Sequence, residues 1–135
     1  MTERKYLPTT AELIDRLSIV LMKSIFISEN RDKYREEMLL IMHDIGLTSA
    51  GPQTPNFIYP VLVLMLTNRW IWENESLIRA GGVDENNRLR MTHAVNGVRA
   101  KAKNKIAEYF SERQDLKADC LAGDLPKEYG NWDVF

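Results

Sequence analysis

From Thr10 to Ser28 the chain runs for nineteen residues without glycine or proline, and Leu13, Ile14, Leu17, Val20, Leu21, Met22, Ile25 and Phe26 make it apolar nearly all round. A helix with that pattern is stable in water only where other elements cover most of its circumference. The segment therefore predicts a central helix in an all-α assembly, and the rest of the chain must supply its cover. Thr9-Thr10-Ala11-Glu12 supplies the start: a capping box, with the Thr9 hydroxyl accepting from the third helical amide while Glu12 reaches back to the cap.

The cover is readable as three more helices. Asn30 caps a second, over residues 31–45, in which Tyr34, Met38, Ile41 and Ile45 repeat at helical spacing and Gly46 marks the stop. Residues 47–56 carry the glycine, proline and threonine chemistry of a loop, and Pro55 or Pro60 opens a third helix that lasts to Gly81-Gly82, roughly 56–80. Asp84 caps a fourth, over 85–111, with Met91, Val95, Val98, Ala102, Ile106 and Tyr109 as its apolar seam. No segment alternates with the period of two that a strand needs. The expectation is a bundle of four helices in residues 1–111. An acidic, loop-like tail, residues 112–135, follows; Trp132 and Phe135 anchor it on its own domain or on a neighbouring subunit.

Composition narrows the function classes. The 135 residues suit one domain, and 18 Lys plus Arg against 19 Asp plus Glu give a net charge of −1. That balance predicts no nucleic-acid polymer as partner. One cysteine, Cys120, and two histidines, His43 and His93, leave no disulfide framework and few soft ligands, so no metal and no cofactor are expected. The longest apolar run, Phe57–Leu66, is half the roughly 20 residues that span a bilayer. With no apolar stretch directly after the N-terminal charges, the expectation is a cytoplasmic protein without membrane contact.

Helical spacing also gathers polar residues. The frame i, i+4, i+7, i+11 reads Asn68, Trp72, Glu75, Arg79 in the third helix, and Thr92, Asn96, Arg99, Lys103 in the fourth. In the first it reads Glu12, Arg16, Ile19, Lys23, with Asp15 adjacent. The charged members are five cations and three carboxylates, and residues 88–105 hold six basic side chains and no acidic one. Cations at a core edge need partners, and arginine suits bidentate contact with phosphate or carboxylate. The ligand-binding set that follows is Asp15, Arg16, Lys23, Asn68, Trp72, Glu75, Arg79, Asn96, Arg99 and Lys103. The competing reading is a salt-bridge network that only fixes helix order.

Leu13-Ile14-Asp15-Arg16 with Lys23, then Asn68-x3-Trp72-x2-Glu75-x2-Ile78-Arg79, then Asn96-x2-Arg99-x3-Lys103, resembles small all-helical proteins of unknown function from bacteria and tailed phages. The resemblance covers roughly residues 11–106 and departs at Gly97, where the pattern has Asp. It implies that these polar positions belong together, and it implies no activity.

The reading that follows is a non-enzymatic protein with no catalytic residues. A basic pocket between its helices holds a small anionic ligand of nucleotide or sugar-phosphate type, as a sensor or a sequestering sponge. The alternatives are a structural or adaptor oligomer with an internal salt-bridge network, and a magnesium-dependent, nucleotide pyrophosphatase-like hydrolase using Glu12, Asp15, Glu73 and Glu75. Because the third helix is apolar on its far side too, through Leu62, Val63, Leu66, Trp70 and Leu77, a homo-oligomer is expected.

Overall fold

The computed structural model describes residues 3–48, 55–114 and 130–135. It contains four helices in chain order, α1 (Thr10–Phe26), α2 (Arg31–Thr48), α3 (Pro55–Ala80) and α4 (Glu85–Tyr109), and no strand among the described residues. The all-α class read from the periodicity holds. Residues 49–54, and the part of the acidic tail that includes Cys120, Gly123 and Pro126, lie outside the described residues.

The helix ends follow local chemistry. Thr9 sits in extended geometry and its side chain accepts from the Glu12 amide at 3.1 Å. Glu12 does not reach back to the cap; its carboxylate meets the Arg113 guanidinium at 3.3 Å. Glu112 takes over the first turn of α1, its two oxygens accepting from the Thr10 amide at 2.9 and 3.0 Å. At the other end, Arg31 Nε donates to the Ser24 carbonyl at 2.8 Å, pairing an acceptor that the last turn leaves open. Asp84 caps α4 through the Asn87 amide. Pro55 is the first residue of α3, and Pro60 lies inside the helix. Gly81 and Gly82 take φ of 80° and 78°, the left-handed geometry that stops α3.

Three boundaries differ from expectation by two residues or more, one of them the end of α4, which stops at Tyr109 rather than 111. α1 ends at Phe26, two residues early, and the turn to α2 passes through Asn30 at φ 63°. Gly46 does not stop α2: its φ is not positive, and the helix continues to Thr48.

α1 is the shared element. On one side, with α3 and α4, it closes the main core, where Leu64, Val95, Val98, Ala102 and Ile106 are fully buried. On the other, Leu13 and Val20 form a smaller cluster with Ile41 of α2. α2 packs on α1 alone, whereas α3 and α4 pack as a long hairpin. Thr10 beside Glu112 and Asp15 beside Arg99 set α1 antiparallel to α4. The chain's last described residues fold back onto α3: Trp132 is buried in the main core, edge-on to Trp70 at 6.3 Å, and the Tyr59 hydroxyl donates to the Val134 carbonyl at 2.9 Å. No helix among the described residues is long and apolar enough to cross a membrane.

Candidate functional site

Where α1, α3 and α4 meet, the core contains one carboxylate. Asp15 is 6% exposed, and it points inward because its neighbours along α1, Ala11, Ser18 and Met22, share the buried face. Arg99 of α4 grips it with two nitrogens: Nε donates to Oδ1 at 3.2 Å and Nη2 donates to Oδ2. Lys103, one turn further along α4, brings Nζ to 3.9 Å from Oδ2. From α3, the Asn68 amide donates to Asp15 Oδ1 at 2.8 Å and to Ser18 Oγ at 2.7 Å. The Ser18 hydroxyl in turn donates to the Asp15 carbonyl at 2.8 Å.

Each carboxylate oxygen thus faces two donors, and both protons of the Asn68 amide are used. Among the described residues no buried side-chain nitrogen or oxygen lacks a hydrogen-bond partner. The network is closed in polar terms, with two cations around one carboxylate.

Four of the ten residues read from the sequence, Asp15, Asn68, Arg99 and Lys103, come together here. The others lie elsewhere. Arg16 is exposed and directs Nε at Glu37 of α2, 3.4 Å away. Glu75 and Arg79 are exposed near the end of α3. Trp72 is half-buried and stacks on Phe26 at 6.1 Å, and Phe26 also carries the Arg69 guanidinium 4.6 Å from its ring centroid. Lys23 and Asn96 are half-buried and make none of the Asp15 contacts.

A second polar centre was not read from the sequence. Asn74, 2% exposed, donates to the Arg88 carbonyl at 3.0 Å and to Thr92 Oγ1 at 2.7 Å, and accepts from Arg88 Nη1 at 2.9 Å. An asparagine in mid-helix is a weak signal for such a centre, since it lowers helix propensity without an evident local gain. Ser18 and Glu112 were missed as well; nothing local distinguishes them.

Among the described residues, two surface grooves lie away from the Asp15 network. One, of about 710 Å³, lies between the start of α3, the end of α4 and Phe135, with Tyr59, Lys105 and Tyr109 in its walls. The other, of about 350 Å³, is lined by apolar side chains among the described residues and separates α2 from α3 over a floor of Ile14 and Leu17. Among the described residues no three His, Cys, Asp or Glu side chains gather as metal ligands would. No family model matches the chain, and no curated protein or solved structure is significantly similar to it.

Proposed function

We propose that the chain is a non-enzymatic structural or adaptor protein, a helical module whose internal ion pairs fix the order of its helices and whose partner contacts are apolar. The saturation of Asp15 from within carries this reading. An arginine held bidentately by a buried carboxylate is not free to take a ligand. Releasing it leaves Asp15 charged and under-paired in a low-dielectric setting, a cost of about 3–5 kcal/mol.

Thermal melting tests it. Arg99→Ala and Asp15→Asn are expected to lower stability by about 3–5 kcal/mol, a drop in midpoint of roughly 10 °C or more. Inorganic phosphate, nucleotides and sugar phosphates are expected to leave the wild-type midpoint where it is. Variants that melt with the wild type, or a nucleotide that raises the midpoint, would overturn the reading.

One observation favours a second reading, the binding of a small anionic ligand of nucleotide or sugar-phosphate type for sensing or sequestration. Arg99 and Lys103 share a single carboxylate, so the cluster carries one positive charge more than Asp15 balances. Lys103→Ala separates the readings because it removes the surplus and spares the Asp15–Arg99 fork. On the second reading it abolishes a ligand-induced rise in midpoint that the wild type displays. Among the described residues no cluster of carboxylates favours the magnesium-dependent hydrolase.

A further inference from the structure

The apolar groove between α2 and α3 continues along α1. Ile14, Leu21 and Ile25 fall on one line of α1, since seven and eleven residues are nearly whole numbers of turns. Ile14 floors the groove, while Leu21 and Ile25 are open to solvent. On α3 the line Ile58, Leu62, Met65 and Leu66 forms the facing wall by the same arithmetic, and all four are exposed, Leu62 at 59% and Leu66 at 60%. Met42 of α2, also exposed, stands on the opposite side. The result is a trough about as long as a helix of several turns, with α1 as its floor.

Its size is unusual. With about 200 Å² for a fully exposed large apolar residue, these residues present about 700 Å². That exceeds the roughly 300–600 Å² of the largest patch on a typical monomer, and it matches the share each partner gives to a standard protein interface. Over its first fourteen residues the α3 wall lacks charge, since residues 55–68 include no Asp, Glu, Lys or Arg; the next residue on the line, Arg69, is held over the Phe26 ring and beside Glu73. Nothing within the described chain covers it, because α2 packs on α1 and leaves α3 bare.

We propose that the occupant is a second copy of this chain, with α3 of each protomer lying in the trough of the other across a two-fold axis. The surface is suited to itself. The Leu62 and Leu66 line is at once a wall of one trough and the apolar ridge offered to the other, so the same patch serves both protomers, as an isologous contact requires. A charged partner has no group to answer it along residues 55–68 of α3, and Arg69 beyond them is already engaged by Phe26 and Glu73. The inference deepens the adaptor reading by naming the partner. Melting of the Asp15 variants tests the polar network and particle mass tests the partner, so each can fail alone.

The experiment is light scattering or sedimentation equilibrium on the full chain. The expected mass is twice 15.6 kDa, falling to the single value in Leu62→Glu and in Leu66→Glu with the helical circular dichroism unchanged. Leu40→Glu, exposed on the other flank of α2, is expected to remain dimeric. If the glutamate variants fail to fold, Leu62→Ala is expected to weaken dimerisation at least tenfold. A wild-type chain that stays at 15.6 kDa across a hundredfold concentration range would overturn the proposal, whether the trough then takes lipid, another protein or residues 115–129. So would a dimer indifferent to the Leu62 and Leu66 changes.

Discussion

Asn74 carries more of the α3–α4 junction than its size suggests. Its amide joins the last third of α3 to the Arg88 carbonyl and the Thr92 hydroxyl on the early turns of α4, and its oxygen accepts from Arg88. Asn74→Ala removes three bonds from a buried site and is expected to cost about 1–3 kcal/mol. Urea denaturation should report a lower midpoint with an unchanged slope; an unchanged midpoint would mean that water replaces the amide without loss. The Asp15 centre was partly legible. Asp15, Asn68, Arg99 and Lys103 could be gathered because each sits on a polar line beside an apolar seam. Spacing, however, gives the residues that share a face and not the faces that meet. Arg16 follows Asp15 directly, yet the 100° step around α1 carries it to Glu37 on α2. Arg79 lies on the Asn68 frame, but eleven residues along α3 carry it beyond the reach of Asp15. Glu112 was out of reach for another reason, since its partner Thr10 stands 102 residues away in sequence.

At the scale of the element, helix starts were more legible than helix ends. Thr9, Pro55 and Asp84 announce α1, α3 and α4 through the hydrogen bonds their side chains make or their backbone forgoes. Ends depend on tertiary contacts as well: Gly46 looked like a stop, and α2 passes through it because Ile45 still packs against the α1 cluster and Thr48 meets Thr10 at 2.8 Å. An added methyl at Gly46 would meet nothing within 4 Å, and its φ is not positive. Gly46→Ala is therefore expected to stabilise the protein by about 0.5–1 kcal/mol, read as a rise of roughly 2–4 °C in thermal midpoint. A fall in midpoint would mean that the helix ends at Gly46 in solution.

In the molecule as a whole, α1 lies between two unequal layers, the α3–α4 hairpin with its deep core and α2 with its thin one. Sequence periodicity found all four helices but did not reveal that α2 leaves α3 uncovered, because a stripe of leucines reads alike whether a helix of the same chain or of another chain is to cover it. It likewise left open where the tail docks, and Trp132 in the main core answers that for the last six residues. Trp132→Ala is expected to cost about 3–5 kcal/mol, a large part of the roughly 5–15 kcal/mol that holds an ordinary domain together. Guanidinium unfolding would measure it, and a loss below 1 kcal/mol would show that the indole contributes little to the core. The same indole sets a timetable for biosynthesis. Chains leave the ribosome N-terminus first, at about 5–20 residues per second, so Trp70 emerges long before the ring that leans on it. The hairpin can wind early, but Trp70 and the core around it stay uncovered on that side until residue 132 arrives.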